Sequence, residues 1–84
     1  MPKVNYLTPA AKPKPYNALA ATLRGYKLAA GLTSEQIGRQ LGVTPEYVRR
    51  QLGKPADAWN IGQLKEYCAV IGCPVQAALE AAAR

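Results

Sequence analysis

Apolar residues recur at helical spacing along most of the chain and nowhere alternate with the period of a strand over a useful length. Leu19, Leu23, Tyr26 and Ala30 fall at i, i+4, i+7 and i+11, a stripe that predicts a helix from an Asn17 cap to about Ala30, with Gly31 as its stop. Gly25 interrupts this helix. Glycine costs up to about 1 kcal/mol relative to alanine there, so either the middle turn is weak or another helix approaches closely. Further on, Asn60 with Gln63 opens a helix whose inward residues are Ile61, Leu64, Cys68 and Ile71, and Gly72 closes it. Pro74 starts a last helix through Val75, Ala78, Leu79 and Ala82.

Between these lies the stretch around which the chain is organised, Thr33 to Lys54, TSEQIGRQLGVTPEYVRRQLGK. Thr33 and Gln36 stand at capping-box spacing, with Leu32 and Ile37 at the flanking apolar positions of a hydrophobic staple. Thr44 caps a second helix, Pro45 takes the first helical position where a missing amide costs nothing, and Val43 with Val48 repeats the staple. Gly42 supplies the left-handed residue that ends one helix and re-aims the chain. Two helices of under three turns joined so tightly must cross steeply, as in a helix-turn-helix. Ile37, Leu41, Val43, Val48 and Leu52 then face inward, and Gly38 is small enough to let the second helix approach. Pro45, Glu46, Arg49 and Arg50 are left outward. The fold class expected is all-α: a compact bundle of about five short helices with a central helix-turn-helix, occupying residues 17–84.

The run LAAGLTSEQIGRQLGVTPEYVRRQL resembles the DNA-binding core of the phage repressor and Cro (XRE-like) helix-turn-helix family, and the likeness extends over roughly Ala18 to Leu79. It implies a lambda repressor-like bundle, and a recognition helix over 44–52 that reads the major groove of double-stranded DNA. Pro45, Glu46, Arg49 and Arg50 match the family's base-reading positions. An arginine can fork onto guanine N7 and O6, and a carboxylate can accept from a cytosine amino group. Backbone positioning falls to Thr33, Ser34, Arg39, Thr44, Tyr47 and Lys54, by hydroxyl, amide or charge. Two positions depart from the family. Ser34 stands where many members carry glutamine. Leu52 stands where many carry a glutamate paired with a base matching Lys27, which leaves Lys27 to solvent or phosphate.

Composition sharpens this picture. Through Lys54 nine bases, Lys3, Lys12, Lys14, Arg24, Lys27, Arg39, Arg49, Arg50 and Lys54, face only Glu35 and Glu46. Beyond it Lys65 and Arg84 are outnumbered by Asp57, Glu66 and Glu80, so the net charge of +6 resides in the half that holds the motif. That is the footprint of a polyanion partner. Residues 1–16, with Pro2, Pro9, Pro13 and Pro15 among the lysines, are expected to form a flexible basic arm, either wrapping the duplex through Lys3, Lys12 and Lys14 or serving as a solubilising tail.

Eighty-four residues allow one domain with a modest core. The absence of histidine, of clustered carboxylates and of a phosphate-cradling glycine loop argues against an enzyme, so no catalytic residue, metal or cofactor is expected. Cys68 and Cys73 read as reduced, small apolar residues of an intracellular protein, a disulfide being the weaker alternative. No apolar run approaches the roughly 20 residues that span a bilayer, and the chain is expected in the bacterial cytoplasm or nucleoid with no membrane partner. The function expected is a sequence-specific DNA-binding transcriptional regulator, a phage or mobile-element repressor acting as a homodimer. The alternatives are a protein-interaction module, such as an antitoxin or inhibitor on the same fold, and non-specific nucleic-acid binding. Trp59 either plugs the core or lies at an interface. Tyr67 and Leu79 either finish the core or form a dimer surface.

Overall fold

The computed structural model describes residues 17–84, and the arm with Lys3, Lys12 and Lys14 lies outside them. Among the described residues five α-helices follow in order: α1 (Ala18–Ala29), α2 (Ser34–Leu41), α3 (Pro45–Leu52), α4 (Ile61–Ile71) and α5 (Val75–Ala82), with a 3-10 turn at Ala56–Ala58. There is no strand among the described residues. The chain is thus a small all-α bundle.

Side-chain caps set four of the five starts. Asn17 Oδ1 accepts the Ala20 amide at 3.0 Å to open α1, and its Nδ2 donates to the Lys54 carbonyl at 3.0 Å, tying that start to the end of α3. At α2 both halves of the capping box form: Thr33 Oγ1 accepts the Gln36 amide at 3.1 Å and Gln36 Oε1 accepts the Thr33 amide at 2.9 Å. Thr44 takes the Tyr47 amide at 3.1 Å, and Asn60 takes the Gln63 amide at 2.7 Å. α5 begins at Pro74 without a side-chain cap.

Gly42, at φ 75°, ends α2 in the left-handed conformation that other residues avoid. Gly38 is required for a different reason. A Cβ there would lie 2.5 Å from the Val43 carbonyl oxygen, so the approaching group is the backbone of the turn itself. Among the described residues nothing lies within 4 Å of a Cβ at Gly25, so no described helix makes the close contact considered for that position.

The core gathers Leu19 and Leu23 of α1, Ile37 of α2, Val48 and Leu52 of α3, Leu64, Tyr67, Cys68 and Ile71 of α4, then Cys73 and Ala78. Leu32, Leu41 and Val43 pack against it from the turns, as the two staples require. α2 packs chiefly on α3 while α1 packs chiefly on α5.

Several inward assignments change. Ala30 is exposed because α1 ends at Ala29 and Ala30 is only its cap; Ala18 and Ala20 are buried instead. Ile61 is 54% exposed although it lies on the side of Leu64 and Cys68. It is the first residue of α4, and with Asn60 and Gly62 also exposed that turn stands clear of its neighbours. Tyr67 belongs to the core, whereas Leu79 is 45% exposed. Both cysteines are free and buried, and burial beside Cys73 pushes the Cys68 thiol up to about 12.

Candidate nucleic-acid interface

α3 divides cleanly. Val48, Gln51 and Leu52 are buried, Pro45 and Tyr47 are half-buried, and Glu46, Arg49 and Arg50 are exposed. The four residues expected to read bases therefore share the outer side of one helix, whose orientation is held by Thr44, by the Gly42 turn and by Asn17 at its far end. Arg49 Nη2 lies 3.4 Å from Glu46 Oε2, an exposed pair one turn apart. Such pairs contribute about 0–1 kcal/mol, so both groups are free to exchange this contact for another. Arg50 makes no ion pair among the described residues.

The residues expected to meet the DNA backbone divide into three situations. Thr33 and Thr44 spend their hydroxyl oxygens as cap acceptors. Arg39 is exposed and lies 3.7 Å from Glu35 across one turn of α2. Ser34, the first residue of α2, is only 8% exposed and is sunk at the junction of α1, α2 and α3.

Lys54 is directed inward rather than outward. Its ammonium donates to Gln63 Oε1 at 2.7 Å and to Gln51 Oε1, and stands 4.4 Å over the Trp59 ring. Burial accordingly lowers its pKa. An ammonium has donors only, so the two glutamine oxygens must face it. The Gln63 amide nitrogen is thereby turned to the Tyr47 hydroxyl, at 3.4 Å. Tyr47 accepts that bond. Trp59 closes the cluster, edge-on to Tyr67 at 5.3 Å. It packs partly against the core, while its Nε1 and the Tyr67 hydroxyl have no hydrogen-bond partner among the described residues.

Periodicity places Arg24, Lys27 and Leu28 outward on α1 without telling which element stands opposite. The structure puts them beside Ser34, Arg49 and Leu52 around one cleft of about 310 Å³. The Gln51, Lys54 and Gln63 cluster has no sequence signal, since its members come together only when α4 packs behind α3. Among the described residues no group of three potential metal ligands forms, and no helix is long and apolar enough to cross a membrane. Comparison with protein-family models, with curated proteins and with solved structures found no match to the chain.

Proposed function

We propose that the protein is a sequence-specific double-stranded-DNA-binding regulator whose α3 enters the major groove. The observation that carries this reading is the exposed outer side of α3, where Glu46, Arg49 and Arg50 project from a helix capped at its start and buried along its inner side. B-DNA's major groove admits an α-helix, and the forked guanidinium matches guanine's paired acceptors. The basic half of the chain supplies attraction to the backbone, and the resemblance of Ala18 to Leu79 to the phage repressor and Cro family points the same way. One short helix reads few base pairs, so two copies on half-sites one helical turn apart make the specific species. The working form is a repressor that occupies its operator.

A protein partner is the second reading, and one observation favours it: Leu28, Ile61 and Leu79 are exposed large apolar residues. Selection of bound duplexes from a randomised pool at physiological salt separates the two. An enriched sequence, relaxed at particular positions by Arg50→Ala, is the expected outcome, and a palindrome reports the dimer. No enrichment by a folded protein would overturn specific DNA reading.

A further inference from the structure

Gln63 is the third residue of α4, the position from which a glutamine commonly returns to the amide of its own cap. Gln36 does so at the start of α2, accepting from Thr33 at 2.9 Å, but Gln63 makes no such bond. Its oxygen instead accepts from the Lys54 ammonium at 2.7 Å, just past the end of α3, while its Nε2 donates at 3.4 Å to the hydroxyl of Tyr47, in the first turn of α3. One side chain of α4 therefore grips both ends of α3.

The ammonium decides which way the amide faces. It has donors only, so the Gln51 and Gln63 oxygens turn to it, and the Gln63 N–H is left to the side where Tyr47 stands. The Trp59 ring, 4.4 Å from the ammonium, closes the cluster. Lys54 makes no ion pair among the described residues. A carboxylate at position 63 would match the ammonium as well as the amide does, yet would have no N–H for Tyr47. Val48 and Leu52 hold α3 by apolar burial, which is non-directional, whereas these hydrogen bonds are directional and fix its rotation and tilt. We propose that Gln63 is a positioning residue for DNA reading, which sets α3 and the Tyr47 side chain in place, with Lys54 as its anchor rather than as a phosphate contact. The assignment rests on the DNA-binding reading above.

The free protein is tested first, by observing the proton–nitrogen resonance of the Lys54 ammonium near neutral pH. Protons held by two glutamine oxygens exchange slowly with water, so the resonance should be visible in the parent, lost in Gln63→Leu and kept in Gln63→Glu. No resonance in the parent, or one indifferent to Gln63→Leu, would overturn the clamp. Binding to the duplex enriched from the randomised pool is tested next. Gln63→Glu should match the parent's urea midpoint and lose affinity on the order of three- to tenfold, the equilibrium factor of one typical hydrogen bond. Tyr47→Phe should lose a similar factor, and the two losses combined in one chain should fall clearly short of additive, a shortfall that the charge of the new carboxylate cannot produce. Additive losses would overturn the positioning role. Lys54→Met should weaken binding with the log–log salt slope unchanged; a slope smaller by about 0.9 would make Lys54 a phosphate contact and overturn its role as anchor. If no duplex is enriched, the regulator reading fails and the positioning role with it, while the ammonium resonance still reports the clamp. If a duplex is enriched and the losses are additive, the positioning role alone fails.

Discussion

Asn17 uses both ends of one amide. Its oxygen caps α1 and its nitrogen reaches the carbonyls of Lys54 and Gly53 at the end of α3. The cap is legible from residue type; the reach across 37 residues of chain is not, because it depends on where α3 ends in space. Asn17→Asp separates the two roles. Aspartate is as good a cap as asparagine and interacts favourably with the helix start, but it has no N–H to give. The variant is expected to lose about 1 kcal/mol in urea unfolding, the contribution of a typical hydrogen bond. An unchanged midpoint would mean that the link to α3 contributes nothing. Gly38→Ala tests a second contact. Its methyl group would meet backbone rather than a movable side chain, so the turn between α2 and α3 must shift, at a cost of about 1–3 kcal/mol and with α3 re-aimed. If α3 reads DNA as proposed, duplex affinity should therefore fall at denaturant-free conditions where the variant is still folded.

At the scale of the element, the starts and stops were the most legible features. Thr33, Thr44 and Asn60 cap as their residue types predict, because a cap is a bond between a side chain and an amide three residues away. Faces at helix ends were read less well. Ala30 and Ile61 satisfy the period and still face solvent, because periodicity gives the direction of a side chain but not whether another element extends that far. Gly25 shows the same limit: the pattern marked it as unusual, and only the packing shows that no described residue lies against it. With no described residue there to displace, Gly25→Ala should stabilise the protein by about 0.5–1 kcal/mol, read as a higher midpoint in thermal or urea unfolding followed by circular dichroism. A loss of stability would indicate that something packs on that side of α1.

For the whole molecule, burial couples stability to alkaline pH. Cys68 is pushed from 9.0 to about 12, chiefly by burial with Cys73 adding to it, and burial also raises Cys73 and Tyr67. Each is held protonated by the fold, so its contribution is intact below the ordinary thiol range and is lost as pH rises from there toward about 12. Lys54 acts in the opposite sense, since its lowered pKa opposes folding while the group is charged and that cost is relieved as pH rises. The larger thiol shift decides the sign. The urea midpoint should hold near neutrality and fall above about pH 9, and Cys68→Ala should flatten that fall whatever its stability at neutral pH. A midpoint independent of pH through this range would contradict the burial of the thiols.

Local chemistry was decided by the order of residues. The five helices, their caps, the glycine turn and the outward set on α3 all depend on bonds and periods within a few residues, and those interactions are present in the chain before it folds. What depended on distant segments meeting was decided only by packing. Lys54 turns inward because α4 brings Gln63 and Trp59 to it, Tyr67 enters the core while Leu79 does not, and Arg24, Lys27, Ser34 and Arg49 become one cleft because α1 crosses beside α3. A side chain's direction follows from its own backbone, but its partner is set by whichever surface the collapsed core leaves opposite it.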